Sequence, residues 1–135
     1  MTIAGMNVIA VLAATIAGMA VGALWYSPLL FARPWMRAIG RSPADIPPTS
    51  RPFIVAGLSN LVMATMLAGL MFHVGGAQIR TGVVSALLVW LGFVATTIAV
   101  NHQFQGQPFM LTLIDAGHWL AVLVVMAVVI GAFGA

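Results

Sequence analysis

Asp115 and His118 form an Asp-x-x-His pair inside residues 109–133, a stretch that is otherwise almost wholly apolar. Three positions apart on a helix, the two side chains share a face. A carboxylate beside an imidazole can accept and pass a proton, and with a third ligand such as His102 the same groups could hold a metal ion. A helix crosses a bilayer in about 20 residues, so this stretch is long enough to do so. An acid at mid-membrane depth costs ~2.5–3.5 kcal/mol on insertion scales. Some other group must therefore satisfy Asp115, and by position the candidates are His118 on the same face and Asn60 in another apolar block.

The rest of the chain narrows the chemistry. There are no cysteines, which excludes disulfides, thiolate nucleophiles and Cys-based metal sites. No HExxH, no serine-nucleophile motif and no phosphate loop is present. Asp-x-x-His is a common pattern, and the spacing fixes no third ligand. The expectation is no catalytic residue, no cofactor and no resident metal, with a metal-dependent membrane enzyme the least favoured of three readings.

The elements that must position these residues are visible in composition. The 135 residues are 62% hydrophobic and only 5% charged, against about 25% charged in a soluble domain. The apolar residues gather in four blocks, approximately 3–26, 52–72, 81–101 and 109–133. At ~1.5 Å per residue each can span a hydrocarbon core ~30 Å thick. The expected fold is all-α: one polytopic membrane unit over residues 1–135, with four transmembrane helices in an antiparallel bundle. The first block has no Lys or Arg before it and outruns the apolar core of a signal peptide, so it is read as a retained helix.

The net charge of +3 rests on five Arg and no Lys, a composition that does not suit a nucleic-acid partner. Arg33, Arg37, Arg41 and Arg51 all lie between the first two blocks, and short Arg-rich loops stay on the cytoplasmic side. That places both termini outside. Trp25 and Tyr26 suit the membrane interface, and Pro28 ends the helix before it. Residues 29–39, LLFARPWMRAI, mix apolar residues with Arg33 and Arg37 and read as a short interfacial helix starting near Pro34. Residues 40–52 contain four prolines and form a linker, with Asp45 exposed in it. Residues 74–77 form a tight turn beside His73, an interfacial polar residue. Trp90 is read as lipid-facing or as core filler.

Packing between apolar helices depends on small residues and polar contacts, because lipid is itself apolar. The first helix carries Ala10, Ala14, Gly18 and Gly22 at four-residue spacing, with Tyr26 next; the second carries Ala56, Asn60, Ala64 and Ala68. On the fourth, Thr112, Asp115, His118 and Trp119 share one face. Ala127, Gly131 and Ala135 form a small row roughly opposite, expected to be free for a second copy of the chain. Antiparallel topology puts Asn60, Asp115 and His118 at depths within about one turn of each other. The late residues Tyr26, Thr97, Asn101 and His102 of the first and third helices fall on that same side. These seven residues are the expected lining of a polar pocket in the cytoplasmic half.

The run Gly22-Ala23-Leu24-Trp25-Tyr26-Ser27-Pro28-Leu29-Leu30-Phe31, followed by Pro34-Trp35-Met36, resembles the signature of a family of small bacterial membrane proteins, domain of unknown function 1761. Gly92-Phe93-Val94-Ala95-Thr96-Thr97 and Asp115-Ala116-Gly117-His118-Trp119-Leu120 are similar to that family's third and fourth helices. The resemblance covers essentially the whole chain and implies a four-helix membrane protein, with no activity, substrate or cofactor attached. The family pattern usually has Asn where this chain has Asp115 and often Tyr in place of His118, which implies that the acid is replaceable.

Three readings follow. The leading one is a non-enzymatic structural or partner-binding module of the bacterial inner membrane, in contact with lipid and with a second copy or another membrane protein. The second is a small transporter or channel-like protein that handles protons or a small solute through Asp115 and His118. The metal-dependent enzyme is third.

Overall fold

Asn7 decides where the first span begins. Its side-chain Oδ1 accepts from the Ala10 N–H at 3.2 Å, satisfying one of the donors that a helix start leaves unpaired. Helix α1 accordingly runs Val8–Trp25, not from residue 3. Before it, Ala4 and Gly5 have φ of 51° and 80°, and the chain folds Thr2–Ile3 (β1) antiparallel onto Met6–Asn7 (β2). Two left-handed residues in succession close a two-residue hairpin loop. The structure is a computed structural model that describes residues 1–134; Ala135, the last member of the small row on the fourth span, lies outside the described residues.

The first connection contains α2, Ala32–Ile39, with Arg33 and Arg37 exposed and Trp35, Met36 and Ile39 half-buried. Gly40 ends it in the left-handed conformation, φ 72°, which a residue without Cβ adopts freely. A short 3-10 turn follows at Pro43–Asp45. There the Asp45 carboxylate accepts from the Ser42 N–H at 2.9 Å and the Ser42 hydroxyl at 3.0 Å. These bonds hold the Asp45 carboxyl below its ordinary range.

Helix α3, Arg51–Val74, starts with Pro52 in its first turn, where a missing N–H costs nothing. His73 is exposed beyond its middle, with Nδ1 2.8 Å from the Gly69 carbonyl oxygen. The third span, Ile79–Phe104, is continuous but not uniform. It consists of α4 (Ile79–Val89), a π-helical segment (Trp90–Ala95) and α5 (Thr96–Phe104). The last span is α6, Phe109–Phe133. Four helices are thus long and apolar enough to cross a membrane, the architecture of an all-α polytopic bundle.

The spans touch in the cyclic order α1, α3, α4, α6, with α6 closing back on α1 and α2 lying against α6. Ala10, Ala14 and Gly18 of α1 and Ala64 and Ala68 of α3 are buried; Gly22 and Ala56 are half-buried. Small residues let the helix backbones approach, and Met71, Val122 and Met126 fill the remaining space. Phe53, Leu58, Met66, Leu88, Phe93 and Phe104 point outward, the arrangement expected where lipid and not water is the solvent.

The small row of α6 is not a free face. Ala127 is completely buried, and a Cβ on Gly131 would stand 2.5 Å from the Ile79 backbone nitrogen. A Cβ on Gly82 would lie 3.2 Å from the Ala127 Cβ. The oligomer surface expected at Ala127 and Gly131 is therefore occupied by α4 of the same chain. The physical reason is the position of α6, which has α1 on its polar side and α4 on its small side.

Candidate functional site

Asp115 is a meeting point of three helices. From the end of α1, the Tyr26 hydroxyl donates to Asp115 Oδ1 at 2.7 Å. From α5, His102 Nε2 lies 3.7 Å from Asp115 Oδ2, while His102 Nδ1 shares a 2.9 Å hydrogen bond with Thr112 Oγ1. Thr112 and Asp115 are three residues apart on α6, so one imidazole lies along two side chains of one α6 face. The carboxylate of α6 is thereby tied to α1 and α5 at the end of the bundle that carries the Arg-rich loop.

Local structure explains why Tyr26 can reach. The α1 helix finishes with Tyr26 donating its backbone N–H to Gly22. The chain then turns back, with the Ser27 hydroxyl on the Leu24 carbonyl at 2.7 Å and the Phe31 N–H on the Trp25 carbonyl at 2.9 Å. This turn stacks Trp25 on Phe31 (ring centroids 4.6 Å apart) and sets Tyr26 edge-on to Trp35 of α2 (5.6 Å). Both interfacial aromatics are held by their neighbours before they touch α6.

Two indoles complete the grip. Trp25 Nε1 donates to the Ile114 carbonyl at 3.0 Å, and Trp90 Nε1 donates to the Ala116 carbonyl at 2.7 Å. The two carbonyls flank Asp115 in sequence and point to different sides of α6, so the helix is clamped there from α1 and from the third span. Trp90 is therefore neither lipid-facing nor simple filler. The signal was present in the sequence: an indole N–H inside an apolar span must find an acceptor, and only another helix can offer one. Trp90→Phe keeps the ring and removes the donor. It should lower stability by about 0.5–1.5 kcal/mol in a detergent unfolding titration; an unchanged midpoint would deny the bond any role.

The π segment at Trp90–Ala95 delivers His102 to this cluster. A π turn holds roughly one more residue than an α turn, so later side chains shift about one position around the axis. Without it, the inward row through Ala86 would continue at residues 93, 97 and 101. Instead Phe93, Thr97 and Asn101 are exposed, while Val94, Ala95, Ile98, Ala99 and His102 are partly buried. Thr97 and Asn101, expected in the pocket, therefore lie outside it. The Thr97 hydroxyl donates to the Phe93 carbonyl at 2.7 Å, a bond within its own helix.

Asn60 and His118 belong to deeper positions and do not bond Asp115. His118 is 6% exposed, seated among Tyr26, Trp25 and Trp119 with ring centroids at 5.0, 6.5 and 4.4 Å. Its Nε2 faces Gly22, where an added Cβ would come within 3.1 Å. Asn60 sits a further turn along, its Oδ1 against Gly18, beside Val122 and Met126. Its amide donates to the Ala56 carbonyl at 2.8 Å and lies 3.4 Å from Met19 Sδ. Val122 is seven residues beyond Asp115, so Asn60 lies ~10 Å deeper, because the helix starts at Arg51 and Phe109 are not level. Among the described residues, Asn60 Oδ1 and His118 Nδ1 are buried without a protein hydrogen-bond partner. Also among the described residues, no three His, Asp, Glu or Cys side chains gather as a metal would require.

Chemically, the cluster is a carboxylate with one oxygen hydrogen-bonded by a phenol and the other facing an imidazole at 3.7 Å. Surface grooves occur at Pro34, Arg37, Ala38, Pro108 and Met110 and around Gln78, Arg80 and Thr81. Neither is lined by Tyr26, His102 or Asp115.

Comparison with known proteins gives one result. The family model described as "Protein of unknown function (DUF1761)" matches residues 9–131. No curated protein and no solved structure matches the chain.

Proposed function

The chain belongs to that family, and from this premise we propose that it is a non-enzymatic structural or partner-binding module of the bacterial inner membrane, with its Arg-rich loop cytoplasmic. In this reading the Asp115 cluster is a polar lock. It fixes the end of α1 and the register of α5 against α6, and so holds the shape of the cytoplasmic end. The observation that carries it is the engagement of Asp115 by Tyr26 and His102 from two other helices. A polar residue satisfied by neighbouring helices stabilises a membrane bundle without a reaction. The orientation rests on four arginines in one short loop.

The competing reading, proton or solute handling through Asp115 and His118, draws on the residual exposure of the Asp115 side chain, 23%. An intramembrane acid is a functional candidate by default. Reconstitution separates the two. Liposomes containing the protein and a pH-sensitive dye should show no proton flux above protein-free liposomes, and Asp115→Asn should change nothing. Flux through the wild-type protein that Asp115→Asn abolishes, with the unfolding midpoint retained, would replace the lock with a transporter.

A further inference from the structure

The chain has two acids and five arginines, and their distribution leaves one end with an excess of positive charge. Arg33, Arg37, Arg41 and Arg51 lie between α1 and the first turn of α3, against a single acid there, Asp45, whose carboxylate is bound by Ser42. Arg33 and Arg37 are four residues apart and exposed on the same face of α2. Trp35, two residues from each arginine, packs on Tyr26, and α2 lies against α6. Following the end of α1 and touching α6, α2 belongs to the end of the bundle where the first span stops, the level at which a bilayer has its phosphates.

Between α2 and the start of α6 is a groove of about 270 Å3, lined by Pro34, Arg37, Ala38, Pro108 and Met110. Its walls are apolar and its one charge is a guanidinium. That combination matches an amphiphile with an anionic head better than a soluble ion, which would leave four apolar residues unused. A guanidinium binds phosphate oxygens in a fixed two-pronged geometry, and basic pockets at helix ends take anionic headgroups. A zwitterionic lipid brings its own cation to the same place and gains less.

We propose that this groove seats one anionic phospholipid, its phosphate on Arg37 and the beginning of its acyl chains against Pro108 and Met110. Arg33, one turn away, adds attraction from the rim. The lipid bridges α2 and the start of α6 along Pro34, Arg37 and Ala38. The site depends on the membrane-spanning architecture and is independent of the role of Asp115.

The full chain in detergent, titrated with phosphatidylglycerol or phosphatidylcholine, tests this by native mass spectrometry of the retained lipid. Phosphatidylglycerol should be retained in preference. Arg37→Gln should weaken its retention about fivefold, the share of one arginine near a charged surface. Met110→Trp fills the groove with the charge intact and should also weaken it; that variant carries the test if Arg37→Gln fails to fold. Arg41→Gln, outside the groove, should retain lipid as the wild type does, and glycerol phosphate should not displace it. Equal retention of both lipids, an Arg41→Gln loss as large as that of Arg37→Gln, or displacement by glycerol phosphate would each overturn the proposal.

Discussion

Gly131→Leu should unfold at a clearly lower denaturant concentration than the wild type, with a loss of about 3 kcal/mol or more. The start of α4 crosses the end of α6 there with nothing between the backbones. Even an ideal Cβ on Gly131 would stand 2.5 Å from the Ile79 nitrogen and 2.6 Å from its Cα. Those are main-chain atoms, so no rotamer change relieves the overlap and the helices must separate. Overpacking a well-filled site costs ~1–3 kcal/mol, occasionally more, and separation here also loosens Ala127 and Gly82, which meet one turn away. Gly131→Ala should show the smaller end of the same effect. Steric-trap or SDS unfolding in detergent measures it. A Gly131→Leu variant of wild-type stability would mean that α4 does not pack on α6 as described.

Tyr26→Phe should cost ~1–2 kcal/mol, because it removes the one short hydrogen bond to Asp115 and leaves His102 at 3.7 Å as the remaining partner. Interhelical polar contacts in membranes average ~0.6 and reach ~1.7 kcal/mol, while bonds to charged groups in water are worth ~1.5–3. The lock makes a sharper statement about the acid itself. Asp115→Asn keeps an acceptor oxygen for the phenol and should cost less than Tyr26→Phe. Asp115→Ala keeps none, and in that background Tyr26→Phe should add almost nothing. A double-mutant cycle of the unfolding free energies reads the coupling directly. If Asp115→Asn proves as damaging as Asp115→Ala, the negative charge and not the acceptor is what the site needs, and the lock is wrong as described.

Much of the architecture was legible from residues alone, because in a bilayer the requirement is simple. A span needs about twenty apolar residues and must satisfy its own backbone, so four blocks mean four helices. The resemblance to the family is carried by equally local stretches, residues 22–36, 92–97 and 115–120, and the family model matches residues 9–131. Local signals also existed for features that hydropathy obscured. Gly5 and Asn7 mark the hairpin and cap that delay α1, and the indole of Trp90 demanded an acceptor.

The site was legible as a need and as a neighbourhood that included Tyr26 and His102, but not as a set of bonds. Asp115 announced that it required partners, but spacing favoured His118, three residues away, and depth counting favoured Asn60. Tyr26 and His102 took those places for reasons that no single segment contains. The turn after Trp25 swings the phenol onto α6, and the π segment advances the third span's register so that His102 faces inward while Thr97 and Asn101 face out.

The sequence by itself determined how many helices cross and that one carboxylate would need company, since transfer free energy is a property of each residue and its near neighbours. Which residues keep that company, and whether the small face of α6 is free, were decided by the tertiary structure. Both depend on helix rotation and stagger, which a one-residue π insertion or an unlevel helix start changes without altering hydrophobicity. Asp115 is accordingly held by Tyr26 and His102, and Gly131 is covered by Ile79.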